Sequence, residues 1–288
     1  MHPPSWTHLL RFLAEEDGQV HLGQLDSKKW PDVGLAIYNG DRVDVKLVTG
    51  SVFDGAVTNT TMHISKLLPP LEMSEVPIIR CLGLNYYEAA KEANAPVPAV
   101  PVLFVRPRTA LNGPYPAAIN IPKIAQDGSS DYEAELSIVL SKTGRDIFED
   151  EAMDYVLGYT CSNDVSARTQ QFKNSQWSFS KGLDGSCPIG PILVAPSVIE
   201  DPHNLRIRAV YNDGVVQDAN TRDMIHKIPK TIAFLSQGTT LERGTIIMTG
   251  TGPGVGLFRN PKVVLNHGDD IRVEIEKIGT LINKVHYE

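Results

Sequence analysis

The chain has 288 residues, a formal net charge of −7 and three cysteines. The acidic balance leaves no electrostatic footprint for nucleic acid or an anionic membrane surface, so a small molecule is the expected partner. The length exceeds the commonest single-domain size and suits one domain with a small appendage. Cys81, Cys161 and Cys187 lie in apolar contexts with neither CxxC nor zinc spacing, and read as reduced, buried thiols of a cytoplasmic protein.

Taken in chain order, HLLRFLA is too short for a signal core or a membrane span and runs at once into Glu15, Glu16 and Asp17. RFLAEEDGQVHLGQL is two apolar runs around Glu-Asp-Gly, which predicts a hairpin. The proline-bearing LLPPLEMSEVP then closes a small N-terminal domain over residues 1–72 and leaves 73–288 as a second domain. Beyond it strands dominate. Alternation predicts strands from Asp131 to Leu140, over YVLGYTCSND and over WSFS. Hairpins are predicted around Asn212-Asp213-Gly214 and on either side of Gly279. Helices are expected over Tyr86 to Ala95, Glu149 to Leu157 and Ile228 to Gln237. The sum is a β-rich mixed α+β fold.

The run DYEAEL sets Glu133 and Glu135 two residues apart, and Asp164 ends a second apolar run. In a strand, residues i and i+2 leave one face about 6.6 Å apart, so two carboxylates there repel unless a cation lies between them. Oxygen-only donors suit Mg²⁺, Mn²⁺ or Ca²⁺ rather than zinc. The competing reading puts both glutamates on the wet face of an edge strand, beside Lys or Arg. TGTGPGVG is not a nucleotide loop: Gly250, Gly252, Gly254 and Gly256 recur every two residues, no frame gives G-x-G-x-x-G, and no P-loop lysine follows. Its glycines let backbone approach a ligand closely.

Seven segments in order, CLGLNYYEAAKEA, PVLFVRPRTALNGP, DYEAELSIVLSKTGRDI, YVLGYTCSNDVSARTQQ, WSFSKGLDGSCPIGP, LERGTIIMTGTGPGVG and HGDDIRVEIEKIGTLINKV, resemble the fumarylacetoacetate hydrolase family over roughly residues 78 to 288. The resemblance implies a fumarylacetoacetase C-terminal-like β-sandwich roll behind the small N-terminal domain, a homodimer, and a metal-binding catalytic domain acting on small oxo-acids or 1,3-dicarbonyl compounds. It assigns the metal to Glu133, Glu135 and Asp164, substrate binding to Arg168, Gln171, Thr251 and Tyr86, and catalysis to Lys181 and Glu92. Gly252 stands where the family usually has proline.

One departure bears on the chemistry. Hydrolytic and decarboxylating relatives read roughly N-Y-x-x-H-x-x-E in the lid, whereas this chain keeps Glu92 and has Ala89 in place of the histidine. Two substitutes for that base are Glu88 paired with Glu92 on one helix face, and His226. The other histidines, His2, His8, His21, His63, His203, His267 and His286, show no ligand spacing and are expected at the surface. The expected function is metal-dependent C–C hydrolysis or decarboxylation through an enolate. The alternatives are an isomerase, tautomerase or cyclase that does not hydrolyse, and a non-catalytic ligand-binding relative.

Overall fold

A computed structural model describes residues 4–288, so His2 lies outside the described residues. The large sheet has eleven strands. From edge to edge it runs Val20–Gln24, Asp44–Thr49, Ala56–Leu68, His8–Ala14, Cys187–Val194, Val156–Asn163, Ala134–Leu140, Ile246–Thr251, Ile79–Gly83 and Val102–Arg106, with Leu111–Asn112 beside Cys187–Val194. A second sheet orders Gly214–Asn220, Arg206–Tyr211, Asp270–Ile275, Gly279–Tyr287 and Ile119–Ile121.

The two sheets share one core, in which Leu136 and Ile138 meet Ile207, Val273 and Leu281. The opposite face of the large sheet buries Val139, Ile246, Met248, Leu193 and Phe104 in a second core. Strand Ala134–Leu140 is thus covered on both faces and buried along its whole length. The edge-strand reading of Glu133 and Glu135 falls for this reason. Polar groups at the centre of a doubly covered sheet must find partners inside the protein.

The three expected hairpins form. His8–Ala14 pairs with Val20–Gln24, Arg206–Tyr211 with Gly214–Asn220, and Asp270–Ile275 with Gly279–Tyr287, all antiparallel. Asn212 and Asp213 take φ of 46° and 66°, as a two-residue hairpin turn requires. His8–Ala14 also pairs with Cys187–Val194, so the large sheet is continuous across the expected boundary between residues 72 and 73.

Helices are shorter than the sequence suggests. The first is Tyr87–Glu92, ended by Asn94 in the left-handed conformation with φ 49°. Glu149 to Leu157 holds only a 3₁₀ turn, Ala152–Tyr155, because its apolar end is drawn into strand Val156–Asn163 between two buried neighbours. WSFS is not a strand: Ser178–Lys181 is one helical turn. Ile228–Ser236 forms nearly as expected, with Pro229 in its first turn. No helix among the described residues is long and apolar enough to cross a membrane.

Asp32 ties the N-terminal segment to the last hairpin. Its carboxylate caps helix Val33–Tyr38 by accepting from Leu35 N at 3.1 Å, and accepts from Thr280 N at 3.2 Å and Thr280 Oγ1 at 2.5 Å. Gly34 lies so close to the Thr280 carbonyl that a Cβ would collide with it. Asp32→Ala is expected to cost about 1–2 kcal/mol, the worth of a good helix cap with its partners left unpaired. Denaturant unfolding should show a lower midpoint at an unchanged slope.

Candidate active site

Strand register brings the acidic residues together. Ala134 faces Asn163 across the antiparallel pair, so Glu133 and Asp164 flank one rung, while on the other side Glu135 faces Thr251. The backbone closes the corner: Asp164 N donates to Glu133 O at 2.9 Å, and Glu133 N donates to Asn163 Oδ1 at 3.1 Å. Glu133, Glu135 and Asp164 thereby place one carboxylate oxygen each within 4.8 Å of the others, and all three are buried.

Three cations surround them. Lys181 Nζ lies 3.0 Å from Glu133 Oε1 and 2.7 Å from Asp164 Oδ2. Arg168 reaches Glu133 Oε1 at 2.7 Å and clamps Asp131 Oδ2 through Nε at 2.8 Å and Nη2 at 2.7 Å. Arg106 pairs with Asp164 and donates to Ser186 Oγ at 2.7 Å and Val165 O at 2.8 Å. Asp131 also accepts from Gly256 N at 2.7 Å and Leu257 N at 3.0 Å, tying the glycine-rich loop to Arg168.

Four carboxyl groups therefore meet three cationic side chains, and Glu135 is the one without a basic partner. Its Oε2 accepts from Gly250 N at 2.7 Å, while its Oε1, fully buried, has no partner. Burial and the facing Glu133 push the Glu135 carboxyl well above the usual carboxylate range. For Glu133, burial acts the same way but is outweighed by Lys181 and Arg168, which hold its carboxyl low. Burial lowers the Lys181 ammonium to about 8 against the pull of Glu133. An orphaned carboxylate oxygen beside two other converging carboxylates fits a hard divalent cation, which would supply the missing positive charge and the missing contact.

Above this cluster lies a cavity of about 350 Å³. Glu133, Arg168, Gln171, Lys181, Thr251, Glu92 and Ala89 all line it. Gln171 Oε1 accepts from Arg168 Nη1 at 2.9 Å. Thr251 Oγ1 donates to Ala134 O at 2.9 Å and accepts from Gln217 Nε2 at 2.8 Å, and Gln217 also donates to the Gly252 carbonyl at 2.9 Å. Gln217 thus steadies the loop where proline is missing. Gly250 has φ 91°, and a Cβ there would crowd Asn85, so glycine is required for its N–H to reach Glu135.

The lid shows where three expectations differ from the structure. Tyr86 is fully buried and does not line the cavity, because it is the cap residue of Tyr87–Glu92 and bridges backbone to Met224 instead. Glu88 lies outside the cavity wall, exposed and paired with Lys91 at 3.4 Å. Its backbone N–H donates to Asp223 at 3.0 Å, which turns that side of the helix away from the site. His226 is packed rather than catalytic, with Nε2 3.1 Å from the Pro98 carbonyl. Its backbone is held by Asn85 Oδ1 at 2.8 Å. Among the other described histidines, His8, His21, His63 and His203 are partly buried, His267 and His286 are exposed, and none lines the cavity. Glu92 holds the lid down by accepting from Gly254 N at 2.9 Å.

Sequence reading did not assign Arg106, Asp131 or Ser186 to the site. The available signal for Arg106 was a lone cation ending the apolar run Val102–Arg106, yet it is completely buried.

The family model described as Fumarylacetoacetate (FAA) hydrolase C-terminal matches residues 78–286. The chain belongs to the fumarylacetoacetate hydrolase family. Among curated members it is 43% identical to caffeoylpyruvate hydrolase of Neonothopanus nambi, over 99% of this chain and 94% of that one. It is 42% identical to the mitochondrial oxaloacetate tautomerase FAHD2A of Homo sapiens, over 88% of this chain and 87% of that one. Among solved structures it is similar to 5-carboxymethyl-2-hydroxymuconate delta-isomerase from Mycobacterium smegmatis, with a TM-score of 0.80, 31% identity, and coverage of 98% of this chain and 100% of that one.

Removing Arg106 alone leaves the Asp164 charge buried with one fewer cation, so Arg106→Met is expected to lower metal-free stability by about 3–5 kcal/mol. The double variant Arg106→Met/Asp164→Leu removes both charges and should recover a large part of that loss in the same denaturant titration.

Proposed function

We propose that this protein is a Mg²⁺- or Mn²⁺-dependent enzyme, Ca²⁺ being the third candidate ion, that cleaves a C–C bond of a small 2-oxo acid bearing a 1,3-dicarbonyl unit. The observation that carries this reading is the unpartnered Glu135 Oε1 set against Glu133 and Asp164, beside a cavity lined by Glu133, Lys181 and Arg168. A divalent ion held by these three carboxylates supplies Lewis-acid stabilisation for an enolate. The names of the two curated relatives, one a hydrolase of an acylpyruvate and one a tautomerase of an oxo-acid, support the same substrate class.

The chain's own groups have separable tasks. Arg168, held rigid by Asp131 and by its contact with Gln171, offers a fixed guanidinium edge to a substrate carboxylate. Lys181 stands between Glu133 and Asp164 and adds positive charge where the enolate oxygen develops. Thr251, fixed by Ala134 and Gln217, lines the same wall. Glu92 is the lid carboxylate within the cavity and orients the water that adds to the acyl carbonyl, after which the C–C bond breaks and the departing enolate takes a proton.

A second reading, tautomerisation without cleavage, is favoured by one observation. Ala89, not an imidazole, lines the cavity one helical turn from Glu92, and Glu92 is engaged with Gly254. The homodimer belongs to this proposal as well, and light scattering at micromolar concentration should give twice the chain mass.

Calorimetry is expected to show one Mg²⁺ or Mn²⁺ bound per chain, with binding abolished in Asp164→Ala. Equal binding by that variant would remove the metal site as assigned. With metal present, acylpyruvates and oxaloacetate should lose their enol absorbance. Release of pyruvate with a free acid from an acylpyruvate marks cleavage, release of pyruvate with CO₂ from oxaloacetate marks decarboxylation, and enol loss without either marks tautomerisation. Ala89→His is expected to raise the cleavage rate by about 10² to 10⁴-fold if a positioned base is what limits it. Glu92→Gln and Ala89→His/Glu92→Gln complete the comparison, and robust wild-type cleavage indifferent to Glu92→Gln would place the base elsewhere.

A further inference from the structure

We propose that Gln217, which does not itself line the cavity, is a positioning residue of the site and acts through Thr251. The inference rests on the functional reading above and adds to that site a side chain from the second sheet.

Gln217 lies on Gly214–Asn220, the edge strand of the second sheet, whereas Glu135 and Thr251 belong to neighbouring strands of the large sheet. Its side chain is buried. Gln217 Oε1 accepts from Ala134 N at 2.9 Å, and Nε2 donates to Thr251 Oγ1 at 2.8 Å and to the Gly252 carbonyl at 2.9 Å. A backbone N–H can only donate and a carbonyl can only accept, so these partners fix which end of the amide faces which strand. Both amide hydrogens are then used. Thr251 is fixed in turn, because its hydroxyl accepts from Gln217 and gives its own hydrogen to the Ala134 carbonyl at 2.9 Å.

The placement of these bonds matters for the site. Glu135 faces Thr251 across the two strands, and the ladder loses its regular register between Glu135 and Ser137. Such an irregularity deprives nearby backbone groups of ladder partners. Gln217 supplies them on both sides, through Ala134, which lies between Glu133 and Glu135, and through Gly252, which follows Thr251. The rest of its strand backs the same loop. Gly254 sits so close to the Val216 carbonyl that a Cβ would collide with it, a Cβ on Gly252 would meet that of Ala219, and Arg259 Nη1 donates to Val216 O at 2.9 Å. The second sheet thus sets where the glycine-rich segment runs, and Gln217 transmits that setting to the one residue of the pair, Thr251, that lines the cavity.

The test is a double-mutant cycle on Mg²⁺-loaded protein with acetylpyruvate and with oxaloacetate, read as calorimetric Kd where there is no turnover and as kcat/KM where there is. Gln217→Met keeps the length of the side chain and loses all three hydrogen bonds. It should weaken the interaction about tenfold, the scale of one or two net hydrogen bonds. In a Thr251→Val background the same substitution should change it by less than about twofold, since residues that act through one another are not additive. Thr251→Ser keeps the hydroxyl and should restore the full dependence on Gln217. Gln217→Asn is the second variant should Gln217→Met not fold: it keeps an amide, is one methylene too short to span Ala134 and Thr251, and should show the same dependence on Thr251. A role in stability alone would lower the unfolding midpoint and leave the folded protein's affinity unmoved, or move it by one factor in every background, and either result overturns the proposal. Coupling seen in binding without turnover removes the reaction assignment and leaves Gln217 as the positioning residue. Turnover with strictly additive effects does the reverse.

Discussion

Buried charge in the middle of a sheet is the constraint on which this structure depends. Asp131, Glu133, Glu135 and Asp164 are all buried, in or beside strand ends. Isolated ionised carboxylates in such a place are untenable, so the surrounding chain is organised to answer them. Arg106 comes from the edge strand Val102–Arg106, Arg168 and Lys181 from single helical turns, and the Gly250, Gly256 and Leu257 amides from the glycine-rich segment. Separate parts of the chain are thus held in one geometry by one electrostatic need. That rigidity is also what a catalytic centre needs to hold its groups in place before reaction.

The same contacts couple the floor of the site to its walls. Asp131 holds Arg168 and the backbone of Gly256 together, so that side chain and the loop above it cannot move independently. Glu92 fastens the lid to Gly254, two residues from that anchor, and Asn85 pins the root of the lid to His226 and Thr249. The lid is short, and besides these hydrogen bonds it is held by the burial of Tyr86 and Ala90.

Polarity is segregated within the cavity. Ionic groups occupy the floor, and beyond Phe104 and Trp177 the lining is almost entirely apolar. Gly83 matters here because strand Ile79–Gly83 must accept an indole directly against its backbone. Buried carboxylates beside the central strands and rings on the cavity wall are thus separate parts of the site.

Local pattern was sufficient for much of this. Hairpins announced themselves through Asn212-Asp213-Gly214 and through the alternation around Gly279, since turn chemistry and period-two burial are properties of neighbouring residues. Glu133, Glu135 and Asp164 were legible because like charges inside apolar runs demand an explanation, and ordered motifs added Arg168, Gln171, Lys181 and Thr251. The sequence did not reveal which groups meet over long separations. Arg106 lies 58 residues from Asp164, and Gln217 lies 34 from Thr251. The outward turn of Glu88, the burial of Tyr86 away from the cavity and the helical turn at Ser178–Lys181 were likewise decided by packing against distant elements. By itself the sequence determined the strand-rich class, the turns and the acidic donors, all of which follow from local pattern. Tertiary structure alone decided the partners of those charges, because their energies depend on burial and distance, and neither is a property of residues adjacent in the chain.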